Sequence, residues 1–224
     1  ILLFLSISDY DIQKSNIVDE KVLLVIIIAS MLIMIQGSIK KQVEESITTK
    51  KLLIESGLND IEEAAVLLID AINASKKILW CGNGGSAGNA NHLANDLTFG
   101  STYPHEIGIS VESLASNASV LTCLANDLGY EYVFSHQLKV KASKGDVLLA
   151  FSGSGNSSNI VEALKTAKQM GALSFCFLGY TGGICKDIAD IPIHVNINDM
   201  QISEDMQTII VHYIIQRINH YVKN

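Results

Sequence analysis

Two parts of this 224-residue chain carry residue types that could do chemistry together. The first is the stretch CGNGGSAGNANHLAND, Cys81 to Asp96, in which His92 and Asp96 stand four residues apart. In a helix that spacing puts both side chains on one face. The second is the C-terminal run that contains Glu204, Asp205 and His212. Glu204 and His212 lie about 80° apart around a helix, and Asp205 and His212 are closer to eclipsed. Two histidines with carboxylates on two helices can hold zinc or another divalent cation. The same groups can act as general base and general acid.

A third stretch binds rather than reacts. SGSGNS, Ser152 to Ser157, follows an apolar run and opens a helical one. Glycines let backbone approach an anion closely, and a helix N-terminus presents unpaired N–H groups with a favourable dipole. Ser152, Ser154 and Ser157 add hydroxyls. No G-K-[ST] follows, so this is not a P-loop, and it does not match G-x-G-x-x-G. The turn GNGGS after the run ILWC is a second loop of the same kind. A capped helix start is the simpler reading of either turn alone. The pair points to a phosphate, because both turns end strands at one edge of a sheet.

The elements that must position these residues follow from periodicity. Helical patterning begins near Ile39 and runs to Ser75 in two segments divided near SGLND, with Asn59 or Asp60 as cap of the second. Strands are predicted at Ile78–Cys81, within EIGISVESL, at Asp146–Ser152, at LSFCFLGY and at IPIHVNI. Helices are predicted from about Ser86 to Leu97, over EYVFSHQLKVKAS, over NIVEALKTAKQM with Gly171 closing it, and from Met200 to Val222. Continuous apolar strands alternating with helices indicate a parallel sheet covered on both faces. Ligands in such sheets bind beyond the carboxyl ends of the strands.

Composition narrows the function. Hydrophobic residues make up 48% of the chain and the net charge is −7, with Arg217 as the single arginine. That argues for a packed domain and against nucleic acid as a partner. Cys81, Cys123, Cys176 and Cys185 form no C-x-x-C pair and read as reduced thiols of a cytoplasmic protein. Val22 to Ile35 is a 14-residue apolar run, short for a membrane span and unlike a secretory signal. It is either a weak membrane anchor or buried helix, or it precedes a natural start at Met31 or Met34. The second reading is preferred, with residues 1–36 as an extension and 37–224 as one domain.

These motifs together resemble the SIS (sugar isomerase) domain family, and within it the phosphoheptose isomerases. CGNGGSAGNANHLANDL, TCLANDLGYEYVFSHQL, DVLLAFSGSGNSSNIVEAL and SEDMQTIIVHYII carry the resemblance, which covers Ile39 to the C-terminus. It implies a three-layer α/β/α sandwich with a five-stranded parallel sheet, to which N-terminal helices are added. It implies substrate contacts at Asn83, Gly84, Gly85, Ser86, Asn126 and Asp127, and a phosphate loop at Ser152, Gly153, Ser154 and Ser157. Metal and catalytic positions fall on His92, Asp96, Glu204 and His212, with zinc as the metal, Asp96 as base and His212 as proton carrier. It further implies a homotetramer with active sites at subunit interfaces, acting on a sugar phosphate in heptose synthesis for lipopolysaccharide or capsule. Three positions depart from the family pattern: Asp96 replaces glutamate, Glu204 replaces glutamine, and Gly153 replaces threonine.

Two other readings stay open from sequence. One is a non-catalytic SIS-domain homotetramer that binds a replication initiator. The other is an isomerase of a different sugar phosphate. No helix-turn-helix or basic segment precedes the domain, which argues against a sugar-responsive transcription regulator.

Overall fold

The computed structural model describes residues 20–56, 58–100 and 109–223. Residues up to Ser46 form one compact unit, and Ile47–Asn224 form a second. Helix α1 runs Glu20–Ser56, so helix begins well before Ile39, where amphipathic patterning starts. The apolar run is apolar all round and gives no helical period. Its Leu, Ile, Ala and Met residues are nevertheless competent helix formers. From Leu23 to Ile35 its large side chains are exposed in the single chain. Leu23–Leu53 is long and apolar enough to cross a membrane by length and composition.

In the second unit, α2 spans Leu58–Asn73. Asn59 and Asp60 therefore lie inside its first turn rather than at its cap. Five strands follow in parallel, in the order β2-β1-β3-β4-β5: β1 Ile78–Cys81, β2 Val111–Ser113, β3 Val147–Ser152, β4 Leu173–Leu178 and β5 Ile191–His194. Helices α3 Gly85–Asn95, α4 Ala118–Asp127, α5 Ser135–Lys141, α6 Ser158–Met170, α7 Gly183–Ile188 and α8 Met200–Lys223 complete the fold. The segment EYVFSHQLKVKAS is a 3₁₀ turn at Tyr130–Tyr132 followed by α5, not one helix. Helices α4 and α7 were not predicted; both are short, at 10 and 6 residues. Of EIGISVESL, Val111–Ser113 is strand, and residues 106–108 lie outside the described residues.

Every residue of β1 and β3 is buried. Alternate side chains go to opposite faces of the sheet. Ile78, Trp80, Leu149, Phe151, Phe175 and Phe177 join a core with α2, α3 and α8. Leu79, Cys81, Leu148, Ala150, Cys176 and Leu178 join a second core with α5 and α6. Trp80, Phe151 and Phe177 stack in series across the sheet, with centroids 5.6 and 4.9 Å apart. A side chain with core on both sides leaves no water-facing position in the strand, which is why the strands read as unbroken apolar runs.

Strand order reverses between β1 and β3, which are paired with Cys81 beside Ala150. From β1 the chain crosses to β2 on one side; from β3 it crosses to β4 on the other. The crevice at such a switch point, beyond the strand ends, is where open α/β sheets bind ligands. Both glycine–serine turns open into it.

Candidate active site

The cleft at the switch point is lined by Asn83, Gly84, Gly85, Ser86, Phe151, Ser152, Gly153, Ser154, Ser157, Met200 and Glu204. Among the described residues, no lysine or arginine lines it. An anion there is held by hydroxyls and backbone N–H groups at the start of α6. The loop that offers them is braced from within. The Gly155 N–H donates to Ser152 Oγ at 3.1 Å and the Asn156 N–H to Ser154 Oγ at 3.2 Å. Ser157 precedes α6 without a side-chain capping bond, so its hydroxyl is not spent on the helix. Gly155 has φ 68°, and a Cβ there would collide with the Gly182 carbonyl. Glycine at 155 is what lets the phosphate-type loop pack on the Gly182–Gly183 turn, where the Cys185 N–H donates to Gly155 O at 2.9 Å.

The opposite wall comes from α3 and α8. Gly85 begins α3, and a Cβ on it would collide with the Glu204 carboxylate. The missing side chain admits that carboxylate to the N-terminal end of α3, where the helix dipole favours negative charge. Asn89 Nδ2 donates to the Glu204 backbone carbonyl at 3.3 Å and ties the two helices together.

Further along the same two helices, three predicted residues converge. His92 Nε2 and His212 Nε2 are 3.2 Å apart, with the rings edge to face. Asp96 Oδ2 is 3.7 Å from His92 Nε2 and 3.6 Å from His212 Nε2. Asp96 sits where α3 passes into a π-helical turn, Asp96–Gly100, and its backbone N–H donates to His92 O and Leu93 O. Donor atoms bound 2.0–2.1 Å from a tetrahedral zinc stand about 3.3 Å from one another. The two imidazole nitrogens and the carboxylate oxygen have the size and chemistry of such a ligand set.

Glu204 does not join this group. Between Glu204 and His212 helix α8 rises about 12 Å, which leaves Glu204 in the cleft. Asp205 is exposed beside it. Asn126 and Asp127 are exposed at the end of α4, where Asn126 Nδ2 donates to Asp127 Oδ1 at 2.7 Å; neither lines the cleft. Sequence reasoning missed Met200, Phe151, Asn159 and Tyr130. Met200 fills the space above Gly153: a Cβ at 153 would lie 2.5 Å from its sulfur. No local pattern in the sequence marks these four, because each acts on a residue distant along the chain.

A phosphate-type cleft at the switch point of a five-stranded parallel sheet defines a sugar-phosphate-binding SIS domain. Residues 43–174 match the SIS domain family model, and the chain belongs to that family. Its relatives within the family are phosphoheptose isomerases. The chain is 37% identical to that of Aliarcobacter butzleri over 75% of its own length and 88% of the relative's. It is 40% identical to that of Cytophaga hutchinsonii over 72% and 85%. The structure of phosphoheptose isomerase from Neisseria gonorrhoeae superposes with a TM-score of 0.78 at 28% identity, covering 83% of this chain and 99% of that one.

Proposed function

We propose that the chain is an aldose–ketose isomerase that interconverts sedoheptulose 7-phosphate and D-glycero-D-manno-heptose 7-phosphate, supplying heptose for lipopolysaccharide or capsule. One observation carries this reading: the same two helices hold both halves of the site. Helix α3 carries Ser86 in the cleft and His92 in the cluster, with Asp96 directly after its last residue; α8 carries Glu204 in the cleft and His212 in the cluster. From Ser86 to His92 the helix rises about 9 Å, the scale of an extended heptose phosphate.

In this mechanism Ser152, Ser154 and Ser157, the Gly153 backbone and the first N–H groups of α6 hold the phosphate. Fixing that end turns proton transfer at the other into a positioned, effectively unimolecular step. Asn83, Gly84, Gly85, Ser86 and Glu204 line the path of the sugar hydroxyls. Asp96 takes the proton from the hydroxyl-bearing carbon next to the carbonyl. The electron pair forms the enediol, and His212 moves the proton between the two oxygens. Asp96 then returns its proton to the former carbonyl carbon. His92, Asp96 and His212 would hold one zinc ion per subunit, and Glu204 would stay in the cleft beside the sugar. Zinc there supplies Lewis-acid polarisation of the carbonyl.

The assembly proposed is a cytoplasmic homotetramer. The side chains of His92 and His212 are 51% and 42% exposed in one chain, and a neighbouring subunit would close the site over them. Four unpaired cysteines suit a reducing compartment. Residues 37–224 are the catalytic domain. Incubating the purified protein with sedoheptulose 7-phosphate, with zinc and after chelation, tests the reading. Zinc-dependent formation of the aldose supports it. A tetramer that turns over no sugar phosphate under either condition is the result expected of the non-catalytic alternative.

A further inference from the structure

The Asn83 side chain is held on three sides. Its Nδ2 donates to Asn159 Oδ1 at 2.8 Å, and Asn159 Nδ2 donates back to Asn83 Oδ1 at 2.8 Å. The Tyr130 hydroxyl donates to the same Asn83 Oδ1 at 2.9 Å. Asn159 is 1% exposed, on the first turn of α6 just beyond the serine loop. Tyr130 lies in the 3₁₀ turn after α4.

A carboxamide offers two acceptor lone pairs and two N–H donors. Both lone pairs of Asn83 Oδ1 and one of its N–H groups are used. One N–H remains, on a side chain that lines the cleft. Turning the Asn83 amide alone by half a turn would set N–H against N–H at Asn159, so the two carboxamides are locked to each other and share one plane. An unmade or opposed hydrogen bond is costly at Asn159, which is buried. The pair also links the turn after β1 to the helix after β3, the two elements that meet at the switch point.

We infer that Asn159, assisted by Tyr130, is a positioning residue for the isomerisation: it locks the plane of the Asn83 carboxamide so that its one unused hydrogen-bonding position is presented to the sugar. The inference rests on the isomerase reading above for its substrate, although the clamp itself exists without substrate. It touches neither the phosphate loop's hydroxyls nor the His92–Asp96–His212 group. Its loss therefore acts on sugar recognition and leaves anion binding alone.

The test compares Asn159→Leu, Tyr130→Phe and Asn83→Ala, singly and in pairs. Asn159→Leu is expected to lower kcat/KM for sedoheptulose 7-phosphate roughly tenfold, the loss of one oriented hydrogen bond. The inhibition constant of inorganic phosphate should stay within about twofold of the parent's. In the Asn83→Ala background, Asn159→Leu should cost no further activity beyond about twofold. Additive losses, or equal loss of phosphate affinity, would mean that Asn159 only supports the fold and would overturn the inference. Tyr130→Phe, which removes an exposed hydroxyl, gives the same reading with a smaller loss if Asn159→Leu does not fold. A substrate-free arm separates this inference from the isomerase assignment: the Asn83 side-chain amide protons, followed by NMR, should exchange slowly in the parent and quickly in Asn159→Leu or Tyr130→Phe. Equal exchange in parent and variants sinks the clamp whatever the sugar; no turnover with a protected amide sinks the substrate and leaves the clamp.

Discussion

His92 and His212, 120 residues apart in the chain, meet Nε2 to Nε2 at 3.2 Å. Two imidazole nitrogens that close, with the Asp96 carboxylate 3.6 and 3.7 Å away, form a site in which one proton or one cation is shared by three groups. Helix α3 supplies two of them from adjacent turns, and α8 brings the third. The arrangement can therefore be dissected one group at a time.

Asp96→Asn preserves shape and removes basicity. Turnover of sedoheptulose 7-phosphate should fall by roughly 10²–10⁴-fold, the usual contribution of general acid–base catalysis. Zinc content, measured by atomic absorption, separates the roles: full zinc with lost turnover marks a base, whereas lost zinc that added metal partly restores marks a ligand. Near-parental turnover would move the base to Glu204. Asp96→Glu is expected to retain activity if the cleft admits one more methylene.

Ser154 and Ser157 are assigned to the phosphate. Replacing both with alanine should raise KM for the sugar phosphate by about tenfold or more, at about 1.4 kcal/mol per decade. Far-UV circular dichroism should stay parental and Tm should fall only slightly, since Ser157 makes no capping bond to α6 and Ser154 accepts one exposed hydrogen bond, from the Asn156 N–H. Unchanged affinity for inorganic phosphate would remove the loop from the site.

Gly153 and Met200 are matched. Threonine at 153 would place its Cβ 2.5 Å from the Met200 sulfur. Gly153→Thr alone should lower both stability and affinity, by the 1–3 kcal/mol typical of overpacking. Met200→Ala with Gly153→Thr should recover most of both, and the added hydroxyl can then reach the anion. Equal loss in single and double variants, read by thermal denaturation and phosphate inhibition, would show that the two side chains are not coupled.

Cys123 is exposed on α4, and its S–H donates to Asp127 Oδ2 at 3.5 Å. That hydrogen bond, and then the carboxylate's charge, hold the thiol above its usual range. Reaction with iodoacetamide requires the thiolate. Asp127→Asn removes the negative charge, so the thiol should ionise at lower pH. The rate-versus-pH curve for Cys123 should move to lower pH, with faster labelling at neutral pH. An unmoved curve would separate the two side chains in solution.

The apolar half of α1 is exposed from Leu23 to Ile35. A chain that starts at Met34 should be soluble, oligomeric and as active as the longer one. Recovery of the longer protein in the membrane fraction after a high-salt wash would assign the run to the bilayer instead.

The sequence by itself determined the sheet and its binding edge. Continuous apolar runs such as VLLAF can be buried on both faces only in a covered parallel sheet, and glycine–serine turns after two of them mark the carboxyl ends. His92 and Asp96 were legible as a pair because four residues make one helical turn, and Gly171 as a helix terminus because its φ of 70° suits glycine. The reach of α1 back to Glu20 was not legible, since a helix apolar all round has no period to read. Nor were α4 and α7. Among the chemical groups, only the tertiary structure put His212 against His92 while leaving Glu204 in the cleft. Both lie on one helix face pattern, and the choice depends on where α8 crosses α3. Asn159, Tyr130 and Met200 were invisible for the same reason. Each acts on a partner 76, 47 or, for Met200, 47 positions away. A contact between distant residues is fixed by how strands β1 and β3 bring their turns together, and no local spacing encodes that juxtaposition.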